Sequence, residues 1–186
     1  IDDHAVMSTR DCAANIICKQ GVWPAIRETL EQLPERGVEL TWLTYSFNPP
    51  KVLLNFLAER DWVVSVIARD PKDGGSLCIT KAARRRWVEA LESDESLFVL
   101  GVHPEGEEAD EYGPTHAKAI AVRVSGSRHL GFVGSFNLCR SSLVRNTETL
   151  AQLSRLESRE LWWEMERLVQ HDEVRPMTDK HCSERC

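Results

Sequence analysis

An α/β fold with a mixed central sheet flanked by helices is predicted from three features of the sequence. Helical and strand-like segments alternate along most of the chain, which is typical of a sheet covered by helices. A length of 186 residues suits one domain with a sizeable core. Hydrophobic content of 42% and charged content of 28% are those of an ordinary globular protein. We therefore treat residues 1–186 as a single domain, with an N-terminal segment at 1–20 and a flexible tail at 172–186.

The first half of the chain contains three predicted helices and three predicted strands. A helix opens at Trp23, with Pro24 at an early position where its missing N–H costs little, and Gly37 is expected to end it. Runs rich in β-formers predict buried strands, and helical spacing of apolar residues predicts the segments between them. The expected order is a strand at 38–47, a helix at 51–60, a strand at 62–68, a loop at 70–75, a helix at 80–92 and a strand at 96–102.

The second half continues the alternation with shorter segments. It is predicted to contain strands at 116–124 and 130–134, a short helix near 139–145, a strand at 147–153 and a long helix at 157–170. No internal repeat is visible, so a twofold arrangement of sites would have to come from two chains. No apolar run approaches the roughly 20 residues needed to cross a bilayer, which favours a protein without a membrane partner.

Polar residues typical of phosphodiester chemistry are concentrated between residues 115 and 153. His116 and Lys118 are separated by one residue on a predicted strand, so both side chains are expected on one face. A turn with Ser135 and Asn137 follows, and Glu148 begins a later strand. A nucleophile, a fixed cation, neutral donors and an orienting carboxylate are the groups that attack on a phosphodiester requires.

The pattern HxK, then GSxN, then a nearby Glu resembles the signature of the phospholipase D superfamily. The run GSFNLCRSSLVRNTE, which ends at Glu148, is especially similar to the small bacterial endonucleases of that group. The resemblance implies a phospholipase D-like fold and a nucleophilic His116 that forms a phosphohistidine. It also implies that Lys118, Asn137 and Ser135 hold the phosphate and that Glu148 orients the imidazole. Neither a metal nor another cofactor is implied.

Arg123 departs from this family pattern, which has Asp five residues after the Lys. Family members lacking that Asp occur among restriction-type nucleases, so Arg123 is interpreted as a phosphate contact. Arg140 and Arg145 are further candidates, because no acidic residue occurs between Thr115 and Thr147. This local positive charge suits a polyanion despite the net charge of −6.

The resulting hypothesis is a dimeric DNA endonuclease, acting on single- or double-stranded DNA and working with partner proteins in a restriction or phage-defence system. Two alternatives stay open: a phospholipid phosphodiesterase of the same family, and a non-catalytic nucleic-acid-binding subunit. The amino terminus shows no basic segment followed by an apolar core, and the six cysteines form no CxxC pair. We therefore expect free thiols and a cytoplasmic protein.

Overall fold

The computed structural model describes residues 14–69, 79–101, 117–125 and 128–183. The loop predicted at 70–75 and the nucleophile candidate His116 lie outside these residues. Five helices are described: α1 (Trp23–Leu30), α2 (Lys51–Ala58), α3 (Lys81–Leu91), α4 (Arg140–Val144) and α5 (Arg155–Val169), with a 3₁₀ turn at Asp179–His181. Ten strands are described: β1 (Ala14–Cys18), β2 (Arg36–Thr44), β3 (Phe47–Asn48), β4 (Asp61–Arg69), β5 (Leu97–Leu100), β6 (Ala119–Val124), β7 (Arg128–Gly134), β8 (Leu138–Cys139), β9 (Glu148–Gln152) and β10 (Val174–Pro176).

Eight of the described strands form one mixed sheet. Their order is β1-β9-β7-β6-β2-β4-β5-β10, and the remaining pair, β3 and β8, forms a separate two-stranded sheet. In the main sheet β2, β4 and β5 run parallel to their neighbours in that group. The other neighbouring pairs are antiparallel. The predicted mixed α/β sheet flanked by helices is confirmed.

Helices cover both faces of the sheet, because alternate residues of the central strands are apolar on both sides. Trp42 of β2, with no exposed surface, packs in a large core that also contains apolar residues of α1, α2, α3 and α4. Leu43, the next residue, packs in a smaller core formed with Trp162 and Met165 of α5. Helices thus flank a sheet that is buried at its centre.

The first helix ends earlier than predicted, and Gly37 has a different role from the predicted one. Helix α1 ends at Leu30, well before Gly37. Pro34 disfavours a helical conformation at the residue before it, so the chain leaves the helix earlier. Gly37 has a φ of 70° and lies where the β2–β4 register shifts between Arg36 and Glu39. The glycine therefore permits an irregularity inside β2 instead of terminating a helix.

The two ends of the described chain form edge strands, although the sequence predicts a flexible tail at 172–186. β10 pairs with β5, and Met177 beyond it is 2% exposed in the main core. Ser183 then hydrogen-bonds the chain at the start of α3, with its N–H 2.8 Å from the Ile79 carbonyl oxygen. A three-residue edge strand that includes Pro176 has too little β-pattern to be recognised locally. Within the described residues no helix has both the length and the apolarity to span a bilayer.

Candidate active site

Four strand ends meet at one edge of the sheet and place the candidate residues there. Thr44 ends β2, and Lys118 directly precedes β6, its antiparallel neighbour. Ser135 directly follows β7, and Glu148 begins β9, which is antiparallel to β7. Carboxyl ends of two strands and amino ends of their antiparallel neighbours thus converge. This edge lies at the carboxyl ends of the parallel strands, where open α/β sheets commonly bind ligands.

Ser135 and Glu148 are joined by a hydrogen bond in which the serine hydroxyl donates to Glu148 Oε2. The same Ser135 Oγ accepts from the backbone N–H of Thr149 at 3.0 Å, and the Ser135 N–H donates to the Thr149 carbonyl oxygen at 3.1 Å. Glu148 is only 8% exposed. A buried carboxylate needs such donors because burial removes its water. The serine is therefore held rigidly, and it holds the glutamate in turn.

Lys118 lies close enough to Glu148 for the two charges to interact. Burial of the side chain lowers the pKa of the Lys118 ammonium, and the negative charge of Glu148 acts in the opposite direction. The Nζ atom also lies 5.5 Å from the centre of the Tyr45 ring. A half-buried ammonium beside a carboxylate and an aromatic face is a fixed positive charge with reduced hydration. Such a group can hold a phosphate oxygen.

Asn137 is anchored through its amide oxygen. Oδ1 accepts a hydrogen bond from the backbone N–H of Ser46 at 3.1 Å. Thr44 supports the same turn, since its hydroxyl accepts from the Leu138 N–H at 2.8 Å and donates to the Ser46 carbonyl oxygen at 2.8 Å. The anchored oxygen leaves the two N–H groups of the amide as the donors of this side chain. Neutral donors of this kind suit a phosphate oxygen.

The structure adds two residues that the sequence analysis missed. Arg69 ends β4 and is 6% exposed, and its guanidinium carbon lies 5.1 Å from the Tyr45 ring. Tyr45 directly follows Thr44, so one aromatic ring contacts both Arg69 and Lys118. Both residues could have been found from the sequence, because each lies at the end of a predicted parallel strand and such ends meet at one edge of the sheet. Among the described residues no group of three or more His, Cys, Asp and Glu side chains could hold a metal.

Solved structures with a similar fold identify the architecture. Nuc from Salmonella typhimurium, described as a phospholipase D family member, matches with a TM-score of 0.54 and 13% identity over 89% of this chain and 99% of its own. NucT from Helicobacter pylori matches with a TM-score of 0.52 and 12% identity, with the same coverage of both chains. A phosphatidylserine synthase from Haemophilus influenzae matches with a TM-score of 0.51 and 16% identity over 89% of this chain and 40% of its own.

The chain has the phospholipase D fold. Identities of 12–16% establish the fold and no finer property. No family model matches the chain, and a search of curated proteins finds no relative. Because Nuc and NucT are each covered over 99% of their length, the similarity in fold extends over the whole of those two chains.

Within the phospholipase D fold of this chain, the three predicted arginines differ in their surroundings. Arg123 projects toward α5, where its Nη2 atom lies 2.6 Å from both carboxylate oxygens of Glu39 and its guanidinium is 5.0 Å from the Trp162 ring. Arg140 begins α4 and Arg145 directly follows it, and both are exposed. The structure therefore brings Lys118, Ser135 and Glu148 together, anchors Asn137 beside β2, and holds Arg123 on the α5 side of the sheet.

Proposed function

We propose that the chain is a metal-independent phosphodiesterase that cleaves DNA, with His116 as the nucleophile. The observation that supports this most directly is the Ser135–Glu148 hydrogen bond beside the half-buried Lys118. The three groups come from three strand ends, and their combination of a cation, a hydroxyl and a buried carboxylate matches the needs of a phosphoryl-transfer site. The role of His116 is proposed from the sequence alone, in which it lies two residues before Lys118.

The reaction has two displacement steps at phosphorus. The His116 imidazole attacks phosphorus, a P–N bond forms, and the P–O bond to the leaving sugar oxygen breaks as that oxygen takes a proton from a second imidazole. Water then attacks the phosphohistidine, gives its proton to the second imidazole, and releases His116. Lys118 and the amide hydrogens of Asn137 offset the charge on the non-bridging oxygens. Glu148 accepts from Ser135 and has lone pairs left for an imidazole N–H.

The second imidazole is proposed to be His116 of a second copy of the chain. The sequence contains one HxK motif, and a closed twofold interface would place two copies of the motif at one phosphate. When wild type is mixed with excess His116→Ala under subunit exchange, the activity should therefore fall below that expected from the amount of wild-type chain present. Activity proportional to the wild-type chain would contradict the shared site.

Plasmid and single-stranded DNA cleavage in excess EDTA tests the reaction itself. Wild type should retain its activity, and His116→Ala should lose it, whereas His171→Ala, which changes an exposed histidine near the carboxyl end, should remain active. Complete loss on chelation with recovery in magnesium would overturn the metal-independent mechanism. A phosphohistidine trapped by rapid denaturation at alkaline pH, where its P–N bond survives, and absent from His116→Ala would support the nucleophile.

A lipid substrate is the second candidate, because one of the similar structures is a phosphatidylserine synthase. Phosphatidylcholine and phosphatidylglycerol vesicles included in the same assay distinguish it: lipid hydrolysis without DNA cleavage would replace the proposed substrate. DNA binding with neither reaction would favour the non-catalytic nucleic-acid-binding subunit. The restriction or phage-defence setting and the cytoplasmic location remain predictions from the sequence.

A further inference from the structure

The three consecutive arginines of α3 have different partners. Arg84 is 3.2 Å from Asp179 and 3.4 Å from Asp94, so two carboxylates offset its charge. Arg85 lies 3.6 Å from Glu89, one turn further along the helix. Arg86 instead donates to a neutral acceptor, since its Nη2 atom is 2.8 Å from Asn48 Oδ1. A neutral partner positions the guanidinium and leaves its positive charge in place.

Asn48 connects Arg86 to the border of the candidate active site through this hydrogen bond. It belongs to the two-stranded sheet, in which Asn48 pairs with Cys139. Asn137 stands immediately before that short strand β8, and Arg140 immediately after it. The register therefore places Arg86, through one hydrogen bond, beside the segment that connects the phosphate-binding Asn137 to helix α4.

Two further cations lie close along the chain to the same two-stranded sheet. Lys51 begins α2 three residues after Asn48, and Arg140 begins α4. We call Lys51, Arg86 and Arg140 the basic rim. All three are exposed, and none forms an ion pair with a carboxylate in the described part of the chain. Their charges therefore add to a local positive potential, although the whole chain has a net charge of −6.

The chemistry of the rim fits a polynucleotide better than a lipid surface. Separate, exposed cations beside a site for one phosphate match a ligand that carries further phosphates at regular intervals. A membrane-binding surface would combine basic residues with exposed large apolar side chains. Among the described residues of α2 and α4, the exposed large hydrophobic side chains are only Val52 at 41% and Val144 at 39%. Single exposed valines are normal on a soluble surface.

We propose that the basic rim binds the phosphate backbone of a single nucleic-acid strand adjacent to the scissile phosphodiester. This inference rests on the proposed function and deepens it, because it makes a strand of several nucleotides the substrate and a small diester a poor one. Arg86 is the residue of the α3 triplet that contacts the strand, while Arg84 and Arg85 act within the protein.

Binding of a fluorescent single-stranded oligonucleotide to proteins carrying His116→Ala, in EDTA and across a salt series, tests the rim. Arg86→Gln should weaken affinity by about 3- to 10-fold and lower the salt slope by about 0.7, because one phosphate fewer is neutralised. Arg85→Gln is the matched control, with the same charge change on the neighbouring residue, and should bind within about twofold of the parent. Equal effects of the two variants would overturn the proposal.

Two further variants separate charge from folding. Arg86→Lys keeps the charge and should retain most of the affinity. Asn48→Asp keeps Arg86 but places a carboxylate at its guanidinium, so it should reproduce the weakening caused by Arg86→Gln. Unchanged binding in Asn48→Asp, with a thermal midpoint close to the parent, would contradict the assigned role of the charge.

Cleavage assays distinguish strand binding by the basic rim from the proposed cleavage reaction itself. In otherwise wild-type protein, Arg86→Gln should lower kcat/KM for the oligonucleotide several-fold more than for bis(p-nitrophenyl) phosphate, which carries a single phosphate. Equal losses on the two substrates would overturn the rim as a strand-binding surface. If wild type cleaved neither substrate, the proposed function would fail, and the binding series would still decide the rim. Reduced binding of anionic vesicles with unchanged oligonucleotide binding would point instead to a membrane.

Discussion

Arg123 and Glu39 face each other across the β6–β2 pair, and Arg123 Nη2 lies 2.6 Å from both carboxylate oxygens of Glu39. The guanidinium also stands 5.0 Å from the ring of Trp162 in α5. Two strands and a helix are thus tied together at the position where the phospholipase D motif has an aspartate. The geometry favours a structural role for Arg123 over the phosphate contact expected from the sequence.

Arg123→Met should lower the free energy of unfolding by about 1–2 kcal/mol, since it removes a half-exposed ion pair and a cation–aromatic contact but keeps the aliphatic stem. Chemical denaturation measures this. DNA cleavage should stay within about threefold of wild type. Arg128→Met is the control. It changes an exposed residue at the start of β7, the strand next to β6, and should leave stability nearly unchanged. A loss of cleavage in Arg123→Met without loss of stability would restore the phosphate-binding interpretation.

Glu148→Gln should change the pH dependence of the reaction. Burial lowers the pKa of Lys118, and the Glu148 charge opposes this effect, so neutralising Glu148 should lower the Lys118 pKa further. The ammonium is lost as pH rises through that pKa, and phosphate binding should be lost with it. The alkaline limb of kcat/KM should therefore move to lower pH. Lys118→Arg, whose guanidinium stays charged, should abolish that limb at reduced overall activity. Identical alkaline limbs in wild type and both variants would refute the role of Lys118.

Asn137→Asp isolates the amide hydrogens. The carboxylate retains an oxygen for the Ser46 N–H, so the turn should stay folded, but both donors are lost and a negative charge appears beside the phosphate. Oligonucleotide affinity should fall by more than about 10-fold, with little change in the thermal midpoint. Asn55→Asp, an exposed change on α2 with the same charge difference, should bind nearly normally. Similar affinities for the two variants would remove Asn137 from the phosphate site.

Gly134→Ala should disturb the Ser135–Glu148 pair through the backbone. A Cβ at this position would overlap the carbonyl oxygen of Thr149 and lie 3.0 Å from the Phe136 ring, so β7 and β9 would have to separate. We expect a loss of about 1–3 kcal/mol in stability together with reduced cleavage. Gly131→Ala on the same strand meets two leucine side chains, which can move, and the Ser158 Cα at 3.2 Å, without an overlap like that at Thr149, and should be milder on both measures. Normal cleavage in Gly134→Ala would show that the close approach is dispensable.

Local patterns were sufficient to predict most of the main elements. The helices α2, α3 and α4 and the strands β4, β7 and β9 lie within a few residues of their predicted ranges, because each has enough apolar periodicity to be recognised alone. The motif was equally local: Ser135, Asn137 and Glu148 fall within fifteen residues of each other. The sequence therefore sufficed to predict which residue types would meet and the class of fold that would hold them.

The tertiary structure decided what those residues contact. Edge strands β1 and β10 were not predicted, since short strands exist only through pairing with distant partners. Arg123 binds a glutamate 84 positions away, and Arg86 binds an asparagine 38 positions away. Tyr45 lies between two cations because neighbouring strands end together at one edge. The amino-acid sequence by itself determined which chemical groups are present. Strand register and helix packing determined which charges are neutralised and which remain available to a substrate.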